Sequence, residues 1–196
     1  MTAGCGIVHS ERTPPSLRAG GSRMHFLQLW VALPRQHEET EPSFQHHPAE
    51  TIPALALGAR VRVIAGSAWG ATSPAKVLSP LFYAEAQLPA GAELELPAEH
   101  PERGLYLVEG AVRCGEGERT VGTMLVFRPG AGARVVASRP ARVVVLGGAP
   151  LDGPRHVFWN FVSSSTERIE RAKGDWRGGR FAKVPGDEQE FIPLPE

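Results

Sequence analysis

The sequence is poor in cysteine, poor in aromatics and without a surplus of either charge. Cys5 and Cys114 are its only cysteines. Nothing demands the single disulfide they could form, two at this spacing are no zinc motif, and a reducing, cytoplasmic setting is the default expectation. Lys and Arg total 21, as do Asp and Glu, so the formal net charge is zero. That balance argues against direct nucleic-acid contact, which calls for a basic excess or stripe. No apolar run reaches the length of a membrane-spanning helix. Residues 1–10 lack the basic-then-apolar order of a secretory leader. There is no phosphate-binding G-x-x-x-x-G-K-[ST] loop and no G-x-G-x-x-G between a strand and a helix. Gly66-Ser67-Ala68-Trp69-Gly70 is no nucleophile elbow, because Ala65 stands where the first glycine belongs. Trp30, Trp69, Trp159 and Trp176 are scattered, which reads as packing rather than as a platform for stacking bases.

Turn formers are abundant: Gly (22) and Pro (18) make up about a fifth of the 196 residues. Such density breaks long helices and favours short strands joined by turns. At 42% hydrophobic and 21% charged, the chain has the composition of a core-forming protein. Residues 24–33 (MHFLQLWVAL) form an apolar run ending at Pro34, which predicts a strand buried on both faces. Residues 35–53 are polar and read as a linker or long loop. From Leu55 the pattern turns to short alternating segments: 60–64, 76–83, 84–88, 93–96, 105–108, 111–114, 123–127, 133–137 and 141–146. Eight or so short strands with regular turn signals predict an all-β sandwich or jelly-roll barrel. One helix is predicted. Ser164 and Glu167 have capping-box spacing, Ile169, Ala172 and Trp176 share a face, and Gly178-Gly179 ends it. The proline-broken tail, 181–196, is expected to pack as an extended strap.

His9-Ser10-Glu11 is the sharpest chemical feature. On a strand, residues i and i+2 point to one side. An imidazole and a carboxylate would then project together, a donor pair suited to Fe(II). Spacing alone does not separate this from a surface His and Glu. His46 and His47 are adjacent and lie in the polar stretch, so both are expected in solvent. His25, His37, His100 and His156 each stand alone.

Taken together, these segments resemble the pirin family of bicupins. Residues 1–11 (MTAGCGIVHSE) look like its G-x-G-I-x-H-S-E segment, and residues 27–34 (LQLWVALP) like its LQLWVNLP signature. Residues 48–53 (PAETIP), 61–66 (VRVIAG), 79–81 (SPL), 106–110 (YLVEG), 160–165 (NFVSSS) and 191–195 (FIPLP) continue the likeness along nearly the whole chain. The resemblance implies two tandem cupin jelly rolls, here an all-β bicupin with an incomplete N-terminal barrel plus one C-terminal helix. The implied parts are residues 1–34 as a remnant of the N-terminal domain, 35–54 as linker, 55–150 as the C-terminal cupin domain, and 151–196 as helix and tail.

The family's metal, usually iron, sits in the first barrel on three His and one Glu. Two of those His come from an H-x-H pair, and the rest from H-S-E. Residue matching makes His9 and Glu11 metal ligands, with Glu11 also the catalytic carboxylate. No H-x-H occurs in the sequence. Met1 is therefore read as an internal methionine, and an in-frame upstream segment carrying H-x-H is expected. In the second barrel, Glu102 stands where a second His would be. That barrel is read as metal-free, with His100 and Glu102 on a surface turn. The implied activity is Fe(II)-dependent dioxygenation of flavonols such as quercetin, impaired in this chain. The alternative is a non-catalytic co-regulator acting through a protein partner. No direct nucleic-acid contact and no membrane association are expected.

Overall fold

The computed structural model describes residues 1–196. They form two compact units, Gln45–Pro150 and, from the two ends of the chain, Met1–Phe44 with Leu151–Glu196. No helix is long and apolar enough to cross a membrane.

The Gln45–Pro150 unit is a rolled antiparallel sheet of nine strands: β1 (Ala54–Ala56), β2 (Arg60–Ala68), β3 (Ala71–Thr72), β4 (Leu81–Leu88), β5 (Glu93–Glu95), β6 (Glu102–Cys114), β7 (Gly117–Thr120), β8 (Met124–Phe127) and β9 (Arg134–Gly148). The strand order is β1-β2-β4-β9-β6-β7, with β3 on β2, β5 on β9 and β8 on β6. Burial alternates along β4, where Phe82, Ala84, Ala86 and Leu88 turn inward. They meet Val61 and Val63 of β2, Leu105 and Leu107 of β6, and Val143 and Val145 of β9. This is the predicted all-β jelly roll, and its core is the inner face of the roll.

Two long strands hold the roll together. β6 and β9 run antiparallel from Glu102↔Gly148 to Arg113↔Val136, with register shifts around Glu109 and Ala111. The alternating segments predict two short strands in each, 105–108 and 111–114, and 133–137 and 141–146, and Gly110 and Pro140 fall in the gaps. Both residues instead sit at the irregularity that bends the ladder. Gly110 has φ +81°, and a side chain there would strike the Pro140 carbonyl. Such a bend admits Gly and Pro inside a strand. The stretch 76–79, expected as strand, is irregular, and the polar, exposed β7 had no apolar pattern to announce it.

The other unit holds a one-turn helix α1 (Pro15–Gly20), a hairpin of β10 (His156–Phe158) and β11 (Phe161–Ser163), and helix α2 (Thr166–Arg177). Ser165 caps α2: its hydroxyl oxygen accepts from the Arg168 amide at 3.2 Å and its hydroxyl donates to Glu167 at 2.7 Å. The expected cap was Ser164, one residue earlier, but Ser164 is bound to Glu38 instead. Ile169 and Ala172 are buried, as the helical spacing predicted. Replacing Ser165 by Ala is expected to cost about 1 kcal/mol, read as a lowered midpoint in urea denaturation.

Aromatic rings form a partly exposed cluster beside the hairpin and α2. Trp159 and Trp176 meet edge to face at 5.1 Å, Phe161 and Phe181 stack at 5.9 Å, and Phe191 stacks on Trp176 at 5.2 Å. The Trp176 indole donates to the Ile192 carbonyl at 2.9 Å, tying down the expected strap. Residues 24–33 depart from expectation. They form no strand, and Met24, Phe26, Trp30 and Val31 are exposed. Trp30, expected to pack, is 56% exposed. A strand needs a neighbouring ladder for its backbone groups, and this run has none in the chain.

Candidate functional site

His9, Ser10 and Glu11 lie on irregular backbone, outside any strand, and all three are exposed. The stretch is anchored on both sides. Upstream, Thr2 and Ser43 exchange backbone hydrogen bonds and the Cys5 amide donates to the Thr40 carbonyl at 2.9 Å. The Arg168 guanidinium of α2 reaches the Cys5 carbonyl at 2.8 Å and pairs with Glu39 at 2.7 Å. Downstream, Arg12 grips Asp187 through Nε and Nη2 at 2.7 and 2.8 Å, and Glu190 through Nη1 at 2.5 Å. The hydrogen bond from Arg12, followed by one from Ser10, holds the Asp187 carboxyl below its ordinary range. The C-terminal tail therefore clamps the residues flanking Glu11, a role the sequence did not announce.

No three His, Cys, Asp or Glu side chains of the chain are grouped so as to hold a metal ion. His9 and Glu11 supply at most two donors, whereas the implied site takes four and even a two-His, one-carboxylate iron site takes three. The residues present do not by themselves fit the implied iron. His25 and His46 are exposed, as is His156 at the start of β10. The His47 ring lies 3.3 Å from the Gln45 side-chain oxygen, and His37 is half-buried.

In the nine-stranded roll, His100 is not on a surface turn. It is only 8% exposed, its Nε2 lies 2.9 Å from the Ser67 carbonyl, and its ring packs on Phe82 with centroids 4.8 Å apart. Three residues on, Arg103 is 6% exposed. It shares the inward face of β6 with Leu105 and Leu107, because side chains alternate. Its Nη2 donates to the Ala131 carbonyl at 2.5 Å, in the turn between β8 and β9. Glu102, one position away, is exposed, as alternation requires. Counting parity back from Leu107 would have found Arg103 in the sequence; its charge masked it as a surface residue.

The outer face of the same sheet carries an open groove of about 670 Å³. Its polar side chains form one row across four strands, Arg60↔Gln87↔Arg142↔Glu109. Pro140 adds apolar surface at its edge. Arg142 is paired with Glu85 and Glu109 at 3.3 and 3.7 Å, so the row is internally neutralised.

Residues 83–182 match the model of the pirin C-terminal cupin domain. A pirin-like protein of Caulobacter vibrioides is 49% identical over 198 residues, covering all of this chain and 68% of the relative. A pirin-like protein of Solanum lycopersicum is 33% identical over 187 residues, covering 92% of this chain and 62% of its own length. The crystal structure of a quercetin 2,3-dioxygenase from Acinetobacter baumannii superposes with a TM-score of 0.72 at 30% identity, covering 78% of this chain and 55% of that one. The chain thus spans little more than half to two thirds of the proteins it matches.

Proposed function

The chain belongs to the pirin family, and from that premise we propose that it forms the larger, C-terminal part of a cupin dioxygenase acting on flavonols such as quercetin. The observation that carries this reading is the 30% identity to a quercetin 2,3-dioxygenase across 78% of the chain. In this reading residues 1–34 belong to the N-terminal cupin domain, 35–54 link, 55–150 are the C-terminal cupin, and 151–196 are helix and tail. His9 and Glu11 are two of four ligands to Fe(II), the others being the H-x-H pair that the family implies. Glu11 is also the carboxylate to which a flavonol hydroxyl gives its proton, which requires hydrogen-bond reach. The setting is cytoplasmic.

A second reading, a regulatory protein acting through a protein partner, is favoured by the shortage of donors among these residues. One experiment separates the two. The chain is expressed alone and fused behind the N-terminal third of the Caulobacter pirin-like relative. Bound iron and the loss of quercetin absorbance in air are measured for both. The fusion is expected to bind one iron and consume quercetin, and the chain alone to do neither. His9→Ala in the fusion is expected to weaken iron binding by at least the 10–100-fold, in order of magnitude, that loss of an outer partner costs. Iron without turnover supports the regulatory reading. Unchanged iron in His9→Ala removes His9 from the site.

A further inference from the structure

Three arginines of this chain are deeply buried or have buried guanidinium nitrogens, and two of them are matched by acids. Arg155 pairs with Glu38 and Asp152, and Arg142 with Glu85 and Glu109. Arg103 has no carboxylate. Its one protein acceptor is the Ala131 carbonyl, and its Nε is buried without any acceptor. A guanidinium cannot shed its proton at physiological pH, so burial cannot neutralise it as it does a lysine. An unpaired buried charge costs several kcal/mol. The roll nonetheless turns this one inward, beside the aliphatic side chains of Leu105 and Leu107.

Its surroundings are those of a site. Phe82 is paired with Gly147, and Gly147 with Arg103. A Cβ at Gly147 would lie 2.6 Å from the Phe82 ring and 3.1 Å from the Arg103 Cα, so ring and arginine flank the same spot. Phe82 also packs against the His100 imidazole, with centroids 4.8 Å apart, and against the Trp69 indole edge-on at 6.1 Å. A cation with an unpaired donor, an imidazole and two aromatic rings thus gather at one end of the roll.

We infer that this end of the C-terminal barrel binds a small oxyanion-bearing molecule, whose anionic oxygens pair with the Arg103 guanidinium. Guanidinium matches carboxylate and phosphate through parallel N–H···O bonds, which is the pairing Arg103 lacks. Such binding calls on neither His9 nor Glu11 and on no metal.

Benzoate, acetate and inorganic phosphate, each at the same ionic strength with chloride as reference, test this on the full chain by calorimetric titration and by thermal melting. Saturable binding of at least one probe with a raised Tm is expected. Benzoate above acetate assigns a carboxylate with a flat body; phosphate above both assigns a phosphoryl group. Arg103→Met is expected to weaken binding roughly 30-fold or more. It is also expected to melt no lower than wild type in probe-free buffer, because it removes an unpaired buried charge. Should that variant not fold, Arg103→Lys keeps the charge, loses the planar fork and is expected to bind more weakly. Wild-type protein that binds none of the probes at tens of millimolar overturns the inference. So does a variant that binds them as wild type does.

Discussion

Replacing Glu38 by Gln is expected to destabilise the unit of Met1–Phe44 and Leu151–Glu196 by about 3–5 kcal/mol, the usual result of breaking a buried ion pair from one side. The Arg155 side chain is 4% exposed, and its Nε lies 2.6 Å from the Glu38 carboxylate. Arg155 also donates to Asp152 at 2.5 Å and to the Gly153 and Leu33 carbonyls at 2.8 Å. Glu38 in turn accepts from the Ser164 amide and hydroxyl at 2.9–3.1 Å and from the Ser163 hydroxyl at 3.2 Å. One carboxylate thereby joins the turn after Pro34 to the strand that leads into α2. Glutamine keeps the shape but leaves Arg155 short of charge, and its amide NH₂ faces donors. Trp159 and Trp176 lie in the same unit, so urea denaturation followed by tryptophan fluorescence reads the loss. The pair also sets an acid limit. Burial pushes the Glu38 carboxyl up, but the Ser164 amide and hydroxyl, Arg155 and Ser163 outweigh it and hold it below the ordinary glutamate value. A lowered native pKa contributes stability that is complete above the unfolded value, about 4.3, and fades as pH falls through the native one. Wild type is expected to lose stability below that value, while Glu38→Gln shows a flatter acid limb.

Glu38 marks where reading the sequence stops. It falls in a polar stretch that resembles a linker, and nothing local distinguishes it from Glu39 or Glu41. Its partners lie more than a hundred residues away, and only the fold brings them together. Strands of the roll were legible for the opposite reason. One buried face imposes a period of two, so 60–64, 84–88 and 93–96 carry their own evidence. The same logic overreached at residues 24–33. An apolar run records a need for cover, and here Phe26, Trp30 and Val31 remain exposed. At the candidate sites, His9 and Glu11 were visible through a motif. His100 and Arg103 were not, because polar letters read as surface until strand parity turns them inward.

Phe82→Ala is expected to cost the nine-stranded roll about 3–5 kcal/mol, seen as a lowered calorimetric Tm and an earlier urea midpoint. Phe82 is fully buried and is the one large inward side chain between Ala84 and Ala86 on one side and the start of β4 on the other. Its loss removes the wall shared by Trp69 and His100. The size of the penalty depends on whether neighbours can close the gap. On β4 the next inward residues are alanines, which cannot extend. Across the ladder the partner is Gly147, which has no side chain to offer. Nor does adding one help. A Cβ at Gly147 meets the Glu102 carbonyl and the Arg103 Cα as well as the Phe82 ring, and only the last contact disappears in Phe82→Ala. Gly147→Ala in the Phe82→Ala background is therefore expected to lower stability further rather than restore it. A double mutant more stable than Phe82→Ala alone would show that the β6–β9 backbone yields at this point. Cycle analysis of the four proteins separates the shared ring contact, whose loss makes the two costs less than additive, from the backbone collision, which stays.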